Sequence, residues 1–335
     1  MAITLAVDAM GGDHGPRVTV PASLTVLRDT PGLSLVLVGR EPLISPFLQR
    51  LRPDLRDRVT IVHTEEVVAM DDKVAVALRN KRNSSMRLAI NLVHEGKASA
   101  CVSAGNTGAL MAVSRFVLKT HAGIDRPAIM TALPTRGGHC HMLDLGANVD
   151  SQANHLLQFA QMGSLVAQVL DGIERPRVSL LNIGEEEIKG NDLIKETHGL
   201  LKASGLNYTG YIEGDGIFKG EADVVVCDGF VGNVALKSTE GVARMFGDVI
   251  KQEIGRNLYT RLAGAIALPI WNGLRSRMDP GRYNGASLVG LTGIVIKSHG
   301  SADEKSFAQA VRVALKEVEK DVPSLIAARL GQAGA

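Results

Sequence analysis

Short apolar runs alternate with amphipathic stretches along nearly all of the 335 residues, and turns rich in Gly, Asn, Asp or Ser follow many of the runs. Strand-like runs occupy 3–7, 33–38, 59–62, 99–102, 178–183, 206–212 and 223–227. Helical periodicity follows at 41–52, near 84–94, over about 151–170, at 192–203 and from about Val234. Strand and helix in alternation are compatible with few architectures. The expected one is α/β, a largely parallel sheet flanked by helices. Runs at 128–133 and 139–145, joined by Arg136-Gly137-Gly138, predict a hairpin, so the sheet is mixed. Two short runs within 283–303 are expected to close it. No repeat or low-complexity linker divides the chain. One intertwined catalytic unit over 1–335 is expected, with a protruding helical segment at 234–282 for dimerisation and membrane contact.

Charge and cysteine content narrow the class. A net charge of +2 excludes a general polyanion binder, so no nucleic acid partner is expected. Cys101, Cys140 and Cys227 are widely spaced and form no CxxC pair, which fits a reducing compartment without structural disulfides. The opening MAITLAVDAMGG lacks a basic region and a long apolar core, and reads as a first strand. No run approaches the ~18 apolar residues of a spanning helix. A cytoplasmic protein is expected.

The turns carry the chemistry. DAMGGDHGP offers Asp8, Gly11, Gly12, Asp13 and His14 ahead of Pro16, where a helix can start. SAGNTGALMA offers Ser103, Gly105, Asn106 and Thr107, but no GK[ST] follows to make a P-loop. NIGEEEIKGND places Gly184, Lys189 and Asn191 between a strand and a helix, where a cation and free N–H groups can hold an anion. EGDGIF contributes Asp215. DGFVGN contributes Asp228, Gly232 and Asn233, with Asn233 as the cap of a helix beginning near Val234. Each turn also has a plain reading as a polar, well-capped loop. Strand carboxyl ends in a parallel sheet share an edge, so these turns and that at 298–303 are expected to converge. They are rich in donors and poor in nucleophiles, and neither GxSxG nor HExxH occurs. Such a site suits an anion that is itself the reactant. Cys227 is either a nucleophile or a small apolar core residue, and its place at the end of a buried-looking strand favours the core.

Two further segments stand out. Lys73, Arg79, Lys81, Arg82 and Arg87 form a solvated basic face or a dock for an acidic partner. Residues 255–278 hold Arg256, Arg261, Arg275 and Arg277 with no acidic residue, around the apolar LAGAIALPIW. Leu258, Leu262, Ile266, Ile270 and Trp271 there suit either a membrane interface or a dimer or core helix.

VDAMGGDHGP, VSAGNTGALMA, LDLGANVD, NIGEEEIKGND, GYIEGDGIF, CDGFVGNVALKSTEG and NGASLVGLTGIVIKSHGSAD, in that order, resemble the phosphate acyltransferase family over nearly the full chain. These are acyl-acyl-carrier-protein:phosphate acyltransferases of bacterial phospholipid synthesis. The resemblance implies transfer of a long acyl chain from acyl carrier protein to inorganic phosphate. It also implies an acyl phosphate product used by a membrane glycerol-3-phosphate acyltransferase. An isocitrate/isopropylmalate-dehydrogenase-like fold, a homodimer, and peripheral association with the inner face of the cell membrane come with it. The chemistry needs neither metal nor cofactor. On this reading Lys189 holds phosphate or the oxyanion, and Asn233 donates to the same centre. The turns at 11–14 and 103–107 bind phosphate and thioester, while Asp215 and Asp228 orient Lys189 or the loops. A rival reading takes HGSAD at 299–303 as similar to the nucleotide loop of isopropylmalate and isocitrate dehydrogenases, without their metal-binding aspartates or substrate arginines. A second, a non-catalytic membrane scaffold, leaves the polar turns unexplained.

Overall fold

The computed structural model describes residues 3–271, 273 and 280–331. Its strands are β1 (Ile3–Asp8), β2 (Leu33–Gly39), β3 (Val59–His63), β4 (Ala100–Ser103), β5 (Ala128–Thr135), β6 (Gly138–Leu143), β7 (Val178–Leu181), β8 (Tyr208–Ile212), β9 (Val224–Val226), β10 (Ala286–Val289) and β11 (Ile294–Lys297). They form one sheet in the order β3-β2-β1-β4-β11-β10-β5-β6-β9-β7-β8. The helices are α1 (Pro16–Asp29), α2 (Glu41–Leu48), α3 (Pro53–Arg56), α4 (Val74–Arg79), α5 (Ser85–His94), α6 (Thr107–Leu118), α7 (Ala153–Asp171), α8 (Asp192–Ala203), α9 (Gly214–Lys219), α10 (Gly229–Gly255), α11 (Leu258–Ile266), α12 (Glu304–Glu319) and α13 (Val322–Gly331).

Burial on both faces explains the apolar strands. Leu5 and Val7 of β1 pack with Val20 and Leu27 of α1 and Phe307 of α12. The opposite face sets Cys101 and Val295 among Ile90, Leu110 and Val113. Beyond the sheet centre, Phe159 and Val166 of α7 cover Leu143 and Val224.

The strand directions bear on the expected convergence. β11–β10, β10–β5 and β5–β6 pair antiparallel, and the remaining pairs are parallel. The carboxyl ends of β1, β4 and β11 therefore share one edge, and those of β7 and β9 share the other. The turns at 8–15, 103–108 and 298–303 come together, Asn233 from the turn at 228–233 meets Thr107 and His299 at one cavity, and the turn at 184–191 does not line it. The hairpin of β10 and β11 sits in the middle, between β4 and β5, and does not close an edge.

Three helix boundaries also differ. The stretch 41–52 breaks at Leu48, because Arg52 precedes Pro53 and is held extended while α3 starts. EGDGIF forms α9, ended by Gly220 at φ 82°. Asn233 is not a cap. Asp228 accepts from the N–H groups of Phe230 and Val231, at 3.0 and 3.1 Å, and starts α10 at Gly229. At 27 residues α10 runs about 40 Å. Along it Val242, Met245, Phe246 and Val249 are exposed. α11 folds back on it at Gly264, where a Cβ would stand 2.7 Å from Ile254 Cγ2.

Candidate active site

The first edge is built by close backbone approach. Asp8, ending β1, is buried, and Ser103, ending β4, donates to its Oδ2 at 2.6 Å. Ser103 Oγ in turn accepts from Gly105 N at 3.0 Å. Burial pushes the Asp8 carboxyl up, against the bond from Ser103. Gly11 leaves no room for a side chain: a Cβ would lie 2.7 Å from Gly105 N and 2.8 Å from Asp8 Oδ2. Gly12 takes φ +85° and would put a Cβ 2.8 Å from Gly300 O. Asp13 N donates to that same carbonyl at 2.8 Å, so the turns after β1 and β11 are stitched together. His14 is exposed beside them. Asn106 caps α6 by accepting from Ala109 N, and its amide holds Met70 O and Asp72 O.

A cavity of about 440 Å³ lies between α10 and the central strands. Ile129, Leu133, Leu145 and Leu236 give it an apolar floor. Its polar part is Thr107, Asn233, Lys237, Glu240, Lys297 and His299. Glu240 pairs with Lys237 at 2.9 Å and Arg244 at 3.3 Å, and lies 3.7 Å from His299. Lys297, 8% exposed, donates to Ala104 O at 3.3 Å and to Ser298 O. Burial, then the neighbouring Lys237, brings Lys297 down to about 8. Apolar floor and cationic end together suit a substrate with a long hydrocarbon part and a reacting anion.

Asn233 reaches this cavity because α10 starts so close to the loop after β6. Asp144 accepts there from the N–H groups of Ile129, Ala147 and Asn148, at 2.9, 3.1 and 2.7 Å, and from Asn148 Nδ2 at 2.9 Å. Burial raises its carboxyl while these donors oppose the rise. A Cβ on Gly229 or Gly232 would collide with the backbone of this loop, so both glycines permit contact of main chain with main chain. Gly146, at φ +114°, faces Asn233 Cγ, 3.3 Å from where its own Cβ would be.

The other predicted residues stand apart from the cavity. Lys189 is exposed on a turn at the second edge and does not line it. That turn is held by Asn182, which donates to Gly184 O at 3.0 Å, and by Gly190 at φ +91°. Gly184 is buried, with Lys189 Cγ 3.0 Å from where its Cβ would be, and Asn191 caps α8 by accepting from Ile194 N. Lys189 follows β7 and Asn233 follows β9, which pair in parallel, but only Asn233 lines the cavity. Nor do the two aspartates orient Lys189: Asp215 pairs with Lys219 at 2.9 Å, and Asp228 caps α10. Cys227 is buried, and burial lifts its thiol well above the ordinary range, away from the nucleophilic thiolate.

Sequence reading missed Lys297, Lys237, His299 and Asp144. All four lie inside motifs that were read, but Lys297 ends an apolar strand, and Lys237 and Asp144 gain meaning only from distant neighbours. Among the described residues, one group of metal-ligand type occurs, His139, His141 and Asp171. It does not line the cavity. Nε2 of His139 and of His141 reach Asp171 Oδ2 at 3.1 and 2.6 Å. Despite burial, these bonds hold the Asp171 carboxyl below its usual range. Nδ1 of His141 is buried without a hydrogen-bond partner.

The family model described as "Fatty acid synthesis protein" matches residues 3–325. A phosphate acyltransferase from Alcanivorax borkumensis is 62% identical over 334 residues, covering 99% of this chain and 98% of that protein. The chain belongs to the phosphate acyltransferase family. As a member it is an enzyme, an acyltransferase. A phosphotransacetylase from Streptococcus pyogenes shares its fold with TM-score 0.61 at 15% identity, over 95% of this chain and 94% of its own. A 4-hydroxythreonine-4-phosphate dehydrogenase from Burkholderia phymatum does so with TM-score 0.51 at 15% identity, over 94% and 98%. At such identity the likeness is one of fold, and it is the dehydrogenase-like α/β fold expected from the sequence. Among the described residues no helix is long and apolar enough to cross a membrane.

Proposed function

We propose that the enzyme transfers a long acyl group from acyl carrier protein to inorganic phosphate, releasing acyl phosphate for phosphatidic acid synthesis. One observation supports this most: in a phosphate acyltransferase family member, the cavity beside α10 joins an apolar floor to a cationic end. The acyl chain lies along the floor, with the thioester carbonyl near Asn233. A phosphate oxygen attacks the carbonyl carbon, and the tetrahedral oxyanion accepts a hydrogen bond from the Asn233 amide. Collapse breaks the C–S bond. The proton of hydrogenphosphate ends on the carrier thiol, so no external base is needed. Holding the two reactants together supplies the remaining acceleration. Lys189, on the second edge, is a separate anion contact in this scheme. The test is to mix the enzyme with palmitoyl-acyl carrier protein, with and without phosphate, and to trap product with hydroxylamine. Phosphate-dependent hydroxamate formation supports the proposal, and carrier thiol release without trappable product contradicts it.

The surface of α10 and α11 fits a homodimer and a lipid interface. Leu258, Leu262, Ile266 and Ile270 are exposed, Leu258 by 85%, and Trp271 is half-buried. Arg256 and Arg261 flank them, while Arg275 and Arg277 lie outside the described residues. We place the exposed face of α10 against a second subunit and the tip at the cytoplasmic face of the membrane, near the acyltransferase that uses the product. Leu262→Glu combined with Ile266→Glu is expected to abolish sedimentation with anionic vesicles and to leave turnover of soluble substrate within about twofold, since neither residue lines the cavity. Unchanged vesicle binding would remove this surface from the account.

A further inference from the structure

We propose that Lys297 and Lys237 together hold the reacting phosphate at the polar end of the cavity, beside the first turn of α6. The inference deepens the acyl-transfer reading above and rests on it. Lys297 is fixed by β11, whose Ile294, Val295 and Ile296 are buried in the sheet centre. Its ammonium meets carbonyl oxygens only, and no carboxylate among the described residues lies within the 4.0 Å of an ion pair. A cation removed from water in this way is costly unless an opposite charge completes its surroundings. Lys237 stands one helical turn beyond Asn233 on α10, with Nζ 3.4 Å from His299 Nε2. Both lysines line the cavity together with Thr107. Asn106 satisfies Ala109 N, while the N–H groups of Thr107 and Gly108, first in the helix, have no carbonyl within it. Two ammonium groups suit a tetrahedral anion that must still turn to attack, since a lysine binds as a point charge and not as a fixed fork.

The placement carries a pH signature. Lys297 feels Lys237 from α10 and Asp13 and Asp8 from β1 and the turn after it, while Glu240 and Arg244 of α10 and His299 of its own turn line the same cavity. Burial and Lys237 lower it to about 8, against Asp13 and Asp8. Its charge is present below that pH and is lost above it, so phosphate binding weakens as pH rises through about 8.

Initial rates with inorganic phosphate and palmitoyl-acyl carrier protein varied separately, and calorimetric titration with inorganic phosphate, test this on wild type, Lys237→Met and Lys297→Met. Each variant is expected to raise the KM for phosphate about 10- to 100-fold, with the KM for the acyl carrier within about twofold. The rise in phosphate KM above about pH 8 is expected to vanish in Lys297→Met. Unchanged phosphate KM and calorimetric affinity in both variants would overturn the inference, as would equal rises in both KM values. Lys237 is exposed, so Lys237→Met decides alone if Lys297→Met does not fold. Lysine-dependent phosphate binding by an enzyme that transfers no acyl group would retire the acyl-transfer reading and leave the phosphate site standing.

Discussion

Asn233→Ala is expected to lower kcat by roughly 10²–10³, the usual cost of one oxyanion donor. The side chain is exposed to the cavity, and its loss removes no cap, because Asp228 starts the helix. Melting temperature should therefore stay within a degree or two of wild type, and circular dichroism should be unchanged. KM for both substrates should also change little, since the bond is made chiefly in the transition state. Lys189→Ala is the informative comparison. Lys189 does not line the cavity, so its effect should be smaller and should appear in KM. A folded Asn233→Ala enzyme with wild-type kcat would remove Asn233 from the chemistry.

Asp144→Ala should be the most damaging single change to the fold. It strips the acceptor from three backbone N–H groups and one side-chain amide, all within 3.1 Å of the carboxylate. An orphaned buried donor costs about 1–3 kcal/mol, so a loss of about 4 kcal/mol is expected even after water enters. For a chain of this length that is roughly 5–6 °C in melting temperature. Asp228→Ala is the control: it removes only a helix cap and should cost about 1 kcal/mol. Thermal unfolding of the two variants side by side checks the order. If Asp228→Ala proved the more damaging, the loop after β6 would not be what anchors α10.

These two aspartates show what was legible in the sequence. The strands could be read because they are short, apolar and bounded by turns, and helices such as α8 announced themselves by cap and periodicity. DGFVGN was misread because two glycines suggest a turn. Gly229 and Gly232 are in fact helical, and their missing side chains let α10 touch the loop at Asp144. The reversed direction of β9 relative to β11 was hidden for another reason. It follows from the antiparallel pairing of β10 with β5, across more than 150 residues, and no local pattern encodes it. Asn233, expected both as a cap and as a donor to the reacting centre, lines the cavity but is not the cap. Lys297 was passed over because one lysine at the end of an apolar strand looks like a strand terminus until β4 and the turn after β1 bury it.

If acyl transfer takes place in the cavity between α10 and the central strands, filling that cavity must stop it. Ala243 lines it from α10 and is only half-buried, so Ala243→Trp places an indole in the space without disturbing the sheet. Phosphate-dependent release of carrier thiol from palmitoyl-acyl carrier protein is then measured for wild type and variant, with melting temperature as the check on folding. A fall of at least about 100-fold at unchanged melting temperature is expected. Wild-type turnover by the folded Ala243→Trp enzyme would contradict it and move the chemistry to another surface.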